Sequence, residues 1–88
     1  MSGERKNRVN ARIYNEEYTM CSPASSEYML RVAHYVDDKM KQIADANGRL
    51  STGKIAVLTA VNLADELFRL RKEMRELEYR INKKNVKR

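Results

Sequence analysis

The sequence predicts an α+β fold that is mostly helical: an N-terminal β-hairpin, one medium helix, and one long C-terminal helix forming an oligomeric coiled coil. Three observations carry that prediction. Apolar residues near the N-terminus alternate with period two, as in a strand with one buried face. From residue 26 onward they recur at helical spacing, with one break at Asn47-Gly48. The last segment then runs about 30 residues without a breaker, roughly 45 Å of helix, which is too long for the remainder of an 88-residue chain to cover.

Each element has its own signal. Residues 1–7 are polar, and they are expected to form a disordered basic N-terminus. In residues 8–14, Val9, Ala11 and Ile13 point one way while Asn10, Arg12 and Tyr14 point the other. Asn15-Glu16 reads as a short turn. Residues 17–22 alternate again, with Tyr18 and Met20 against Thr19 and Cys21; two such runs around a tight connection predict a hairpin. Ser22 to Glu27 is a helix-start signal, because a serine can accept from the orphan amides and Glu27 suits the helix dipole. Residues 26–46 repeat as Met29, Val32/Ala33, Val36, Met40 and Ile43/Ala44, widened by Tyr28 and Tyr35. Asp37 and Asp38, with Lys39 and Lys41, read as a solvated face. Gly48 suits a C-terminal stop. Ser51 or Thr52 caps the next helix, which runs from Lys54 to about Lys84.

A chain of this size forms one domain and buries only about 60–65% of its unfolded surface. Cys21 is the only cysteine, so neither an intrachain disulfide nor a cysteine-based zinc site can staple it. Oligomerisation is the expected source of extra stability. Charged residues make up 34% and aromatics 7%, a helix-rich profile. No apolar run approaches the ~20 residues of a bilayer span, and no signal-type apolar segment follows the start, so a cytoplasmic protein is expected. The net charge is +6. Its excess sits at the ends: Arg5, Lys6, Arg8 and Arg12 against Glu4, and then Arg80, Lys83, Lys84, Lys87 and Arg88. Residues 13–79 are slightly acidic, which disfavours nucleic acid as the main partner.

The long helix carries the oligomer argument. Its apolar positions Ala60, Leu63, Leu67, Leu70, Met74, Leu77 and Ile81 alternate by three and four. That is a heptad seam with Ala60, Leu67, Met74 and Ile81 at a and Leu63, Leu70 and Leu77 at d. A second apolar series (Ile55/Val57, Leu58, Val61, Ala64, Phe68) ends at Phe68. The first half is therefore expected to pack against the hairpin, the first helix and a neighbour. The second half has one narrow stripe that only another copy can cover. Residues 8–68 read as a head, and 69–88 as a coiled-coil extension with a basic tail. Charge also sets the orientation of the pair. In an antiparallel register centred between Met74 and Leu77, Arg71 faces Glu78 and Glu73 faces Arg80; a parallel pair sets Glu73 against Glu78. Small terms of consistent sign decide between alternatives.

Chemistry finds little support. His34 and Cys21 lack an orienting third group. Asp37-Asp38 and Asp65-Glu66 are neighbours diverging by about 100° on a helix, so neither pair converges on one ion. Gly48 and Gly53 are isolated, and Ser51-Thr52-Gly53-Lys54 has the wrong order for a phosphate loop. No catalytic residue, cofactor or metal is predicted; a binding or scaffolding protein is.

The strand 8–14, the following Glu17-Tyr18-Thr19-Met20, the helix segment 28–37 and the run Ala60-Val61-Asn62-Leu63-Ala64-Asp65-Glu66-Leu67 resemble the ZapA family of cell division proteins, in a short form. The resemblance covers about residues 8–80. It implies a cytoplasmic protein at the division site, which binds the tubulin-like GTPase FtsZ and cross-links its protofilaments in the septal ring. It also implies dimers that pair into tetramers through their C-terminal helices. An acidic filament as partner makes basic head residues the expected contacts: Arg12, Lys41, Arg49 and Lys54. Two other classes stay open, a basic dimeric nucleic-acid-binding protein and a coiled-coil adaptor for a different filament.

Overall fold

The structure is a computed structural model and describes residues 6–86. Four elements follow in order: β1 (Asn7–Ile13), β2 (Glu16–Ser22), α1 (Ser26–Asn47) and α2 (Thr52–Val86). This is the predicted architecture, hairpin first and then two helices of unequal length. Of the expected N-terminal tail, residues 1–5 lie outside the described residues. Asn7 belongs to β1, where its side-chain amide donates to the Ala24 carbonyl at 2.8 Å and ties the open end of the hairpin to the approach to α1.

β1 and β2 pair antiparallel, with Val9 opposite Met20, Ala11 opposite Tyr18 and Ile13 opposite Glu16. The turn is therefore Tyr14-Asn15, one residue earlier than expected. Both residues have positive φ, 49° and 70°, the mirror-image turn whose twist matches a hairpin. Asn tolerates this conformation; tyrosine does not favour it. A tertiary bond holds Tyr14 there: its amide donates to Asp37 Oδ1 of α1 at 2.7 Å. Because no local pattern encodes that bond, Tyr14 reads as one more strand residue in the sequence.

Ser25 caps α1, its hydroxyl accepting from the Tyr28 amide at 3.1 Å. Gly48 ends it with φ 62°, donating its amide to the Ala44 carbonyl at 2.9 Å. Ser51 is the residue that caps α2, accepting from the Lys54 amide at 3.3 Å. Packing runs in series: β2 pairs with β1, β1 lies on α1, and α1 lies on α2. The hairpin makes at most a marginal contact with α2, which corrects the expectation that it packs on both helices. The buried set is accordingly small: Val9, Ala11, Met29, Ala33, Met40 and Ile55, with Asp37 and Thr59 as polar members.

Candidate functional site

Two surfaces need to be placed: the apolar faces of the helices and the four basic residues. On α2 the side that meets α1 carries Ile55, which is 1% exposed, then Thr59, and then half-buried Leu63 and Glu66. Their spacing of four, four and three is helical. The Thr59 hydroxyl satisfies itself by donating to the Ile55 carbonyl one turn back at 2.8 Å. The predicted oligomer seam runs through Ala60, which is exposed in the chain, and beside Thr59, which faces α1. A threonine within the i, i+4 series Ile55, Thr59, Leu63 was the available signal for this intrachain face. Leu63 is the one seam residue held partly within the chain.

Beyond Glu66 nothing among the described residues covers α2 as far as Lys84. Leu70, Met74, Leu77 and Ile81 are between 53 and 62% exposed, and Leu67 is exposed as well. At 100° per residue these five lie along one stripe, continuous with Leu63. Leu63 also floors a groove of about 330 Å3 whose other walls are Tyr28, Arg31, Val32, Tyr35 and Val36 of α1. Groove and stripe form one apolar track. A second stripe, Val57, Val61 and Phe68, is 62–64% exposed and lies about 140° around α2 from the first. Val57, Leu58 and Val61 belong to the half of α2 expected to pack against the hairpin, the first helix and a neighbour, and within the chain neither the hairpin nor α1 buries them. The serial packing leaves them bare.

The four basic candidates are spread over different elements. Arg12 sits on the outer face of β1, its guanidinium 3.4 Å from Glu17 on β2 with both side chains well exposed. Lys41 lies near the hairpin turn, its ammonium 3.0 Å from Asp37 Oδ2. Arg49 and Lys54 are exposed at the α1–α2 connection. From Lys41 to Arg49 the chain advances about 12 Å along the helix, so Lys41 and the α1–α2 connection are separate places on the surface.

The acidic residues of α1 also differ from expectation. Asp37 is buried, not solvated. The Tyr14 amide, followed by the Lys41 ammonium, stabilises its charged form and holds its carboxyl below the usual range. Lys39, read as part of the same solvated face, is turned toward α2 and pairs with Glu66 Oε2. The Tyr35 hydroxyl donates to Glu66 Oε1 at 2.6 Å, and Lys39 Nζ lies 5.5 Å from the centre of the Tyr35 ring. The hydrogen bonds from Lys39 and then Tyr35 push Glu66 down; Lys39 and Tyr35 are both pushed up, chiefly by their bonds to Glu66. His34, Asp37 and Asp38 bring ligand atoms within 4.8 Å of one another, closer than neighbouring helix positions suggested. Asp37 already serves an amide and an ammonium there, and His34 lies 3.6 Å from Asp38. That arrangement is a structural anchor for the hairpin.

Residues 9–88 match the family described as Cell division protein ZapA. The chain belongs to the ZapA family. It is 41% identical over 83 residues to the Cell division protein ZapA of Geobacillus kaustophilus (strain HTA426), covering 94% of this chain and 91% of the relative. Over 85 residues it is 36% identical to the protein of that name from Bacillus licheniformis, covering 97% of this chain and all of the relative. Among solved structures it is similar to a ZapA mutant dimer from Geobacillus stearothermophilus, with a TM-score of 0.72 and 36% identity over 93% of this chain and 95% of that one. A role in cell division follows from the family. No helix among the described residues is long and apolar enough to cross a membrane.

Proposed function

We propose that this chain is a non-enzymatic cross-linker of FtsZ protofilaments, acting in the cytoplasm at the division ring as a dimer that pairs into a tetramer. The observation that carries the reading is the uncovered apolar length of α2 in a chain of this family. Each of Leu70, Met74, Leu77 and Ile81 gains about 1.5–3 kcal/mol on full burial, and their own chain leaves them exposed. Two stripes about 140° apart cannot both be closed by one partner helix. Two different contacts between copies satisfy both, and a tetramer has two. The structural relative, itself a dimer, supports the first of these.

The arms pair antiparallel in this reading. Arg71, Glu73, Glu78 and Arg80 make no ion pair within the chain among the described residues, so all four are free to meet a partner. The residues around the hairpin and the α1–α2 connection form the filament-binding head. Joining several weak heads through one spacer converts modest affinity into bundling. Arg49 and Lys54 are the better contact candidates, because Arg12 and Lys41 already have carboxylate partners.

Co-sedimentation with FtsZ tests this directly. Wild type is expected to pellet with the filaments and bundle them. Arg49→Glu with Lys54→Glu is expected to lower bundling several-fold while leaving the oligomer intact in sedimentation analysis. Undiminished bundling by that variant would move the contact elsewhere, with Arg12→Glu as the next surface to try. Failure of wild type to pellet would sink the FtsZ reading.

A further inference from the structure

We propose that Tyr35, Lys39 and Glu66 form a latch that fixes the direction in which the exposed arm of α2 leaves the packed part of the chain. Four observations converge on it. First comes position. Up to Lys84, Glu66 is the last residue of α2 that is even half-buried; every residue from Leu67 to Lys84 is exposed. The latch therefore sits at the fulcrum. Second is geometry. Both oxygens of one carboxylate are engaged by two different side chains of the facing helix, Tyr35 at 2.6 Å on Oε1 and Lys39 on Oε2. A single hydrogen bond allows rotation about itself, whereas two bonds on separate oxygens fix the carboxylate in two directions.

Third, the donors are themselves held. Tyr35 and Lys39 are one turn apart on α1, and the ammonium lies over the tyrosine ring. The Lys39 and Glu66 side chains are only 19% and 32% exposed, so solvent competes less for their bond than for the exposed Arg69–Asp65 pair one turn on. Fourth, the alternatives are missing. The hairpin has at most a marginal contact with α2, so no second element braces it. Ile55, Thr59 and Leu63 supply contact area along the helix. Apolar contact is non-directional, and it does not by itself set an angle.

Leverage makes the angle consequential. From Glu66 to Val86 the helix advances about 30 Å, so a tilt of 10° moves its end by about 5 Å. Tyr35 also walls the apolar groove beside Leu63. One side chain thus contributes its ring to the groove and its hydroxyl to the fulcrum. These three are positioning residues. Their consequence for filament spacing rests on the cross-linking reading above; the arm direction itself does not.

Distance measurements between spin labels at residues 42 and 76, in a Cys21→Ser background, test the latch. Both label sites are exposed and lie off the apolar stripe. Doubly labelled protein is diluted with unlabelled chains so that each distance is read within one chain. The unaltered latch is expected to give a single narrow distribution. Tyr35→Phe, which keeps the ring and the groove wall, and Glu66→Ala are each expected to broaden it or shift it by about 5 Å, with helix content and oligomer size unchanged. Lys39→Glu is expected to broaden it, and Lys39→Glu combined with Glu66→Lys to narrow it again. That rescue is a readout that lost packing alone would not produce. Distributions unchanged in Tyr35→Phe and Glu66→Ala, with helicity intact, would show that apolar packing or the partner copy sets the direction and would overturn the proposal. So would a double exchange that fails to narrow what Lys39→Glu broadens.

Discussion

Residues 52–66 of α2 lie against α1 and bury Ile55 and Thr59, whereas residues 67–84 of the same helix bury nothing within their own chain. The two segments share a helix type and an unbroken backbone. They differ in what lies opposite. α1 stops at Asn47 and the chain reverses through Gly48, so a helix of 22 residues faces one of 35. The excess length has no intrachain partner among the described residues. Stability of the first segment is thus a property of the monomer, while burial of the second is a property of concentration.

That contrast can be broken most severely in the arm. Leu77→Glu with Ile81→Glu places two charges in the proposed seam. Sedimentation analysis is expected to show loss of the larger species, with the hairpin and α1 still folded by circular dichroism. A tetramer that survives would place the pairing surface elsewhere, with the Val57, Val61 and Phe68 stripe as the alternative. The packed segment gives the reciprocal result. Ile55→Ala is expected to cost about 2–5 kcal/mol of unfolding free energy, as deletions of fully buried isoleucine do. Measured on a dissociated variant, the loss should persist; a loss seen only in the oligomer would mean that Ile55 is buried by the partner instead.

Acid separates the two segments more gently. Asp37 and Glu66 both titrate below the ordinary carboxylate range. A lowered carboxyl contributes stability that is present above its unfolded value of about 4 and is lost as pH falls through the lower folded value. Unfolding midpoints followed from pH 6 to pH 2 should therefore drop below about pH 4. Asp37→Asn and Glu66→Gln should each flatten that drop, since both residues lie in the packed part. Lys39 and Tyr35 are shifted upward, so the latch is also expected to loosen as pH rises beyond about 10. An acid profile unaltered by either substitution would count against both ion pairs.

The hairpin, the caps and the helix lengths were legible because each depends on near neighbours in the chain. Alternation at Val9, Ala11 and Ile13, a serine three residues before an amide it can accept from, and a glycine with φ of 62° at a helix end are local facts. The bare apolar stripe was legible for a related reason: helix periodicity assigns faces without knowledge of what covers them. Long-range facts were not. Asp37 and Lys39 stand in a run of charges, Asp37-Asp38-Lys39, that reads as solvent-facing. Only the approach of Tyr14 from the hairpin turn and of Glu66 from α2 turned one into an anchor and the other into a latch.

By itself, then, the sequence determined the element order, the unequal helices and the surplus apolar length of the second, because propensity, capping and periodicity act within a few residues. Tertiary structure alone decided that packing runs in series from hairpin to α1 to α2, that Asp37 is buried against the hairpin turn, and that Glu66 is held within its own chain. Those outcomes depend on which segments meet across 23 or 31 positions of chain, and local preferences do not carry information over that separation.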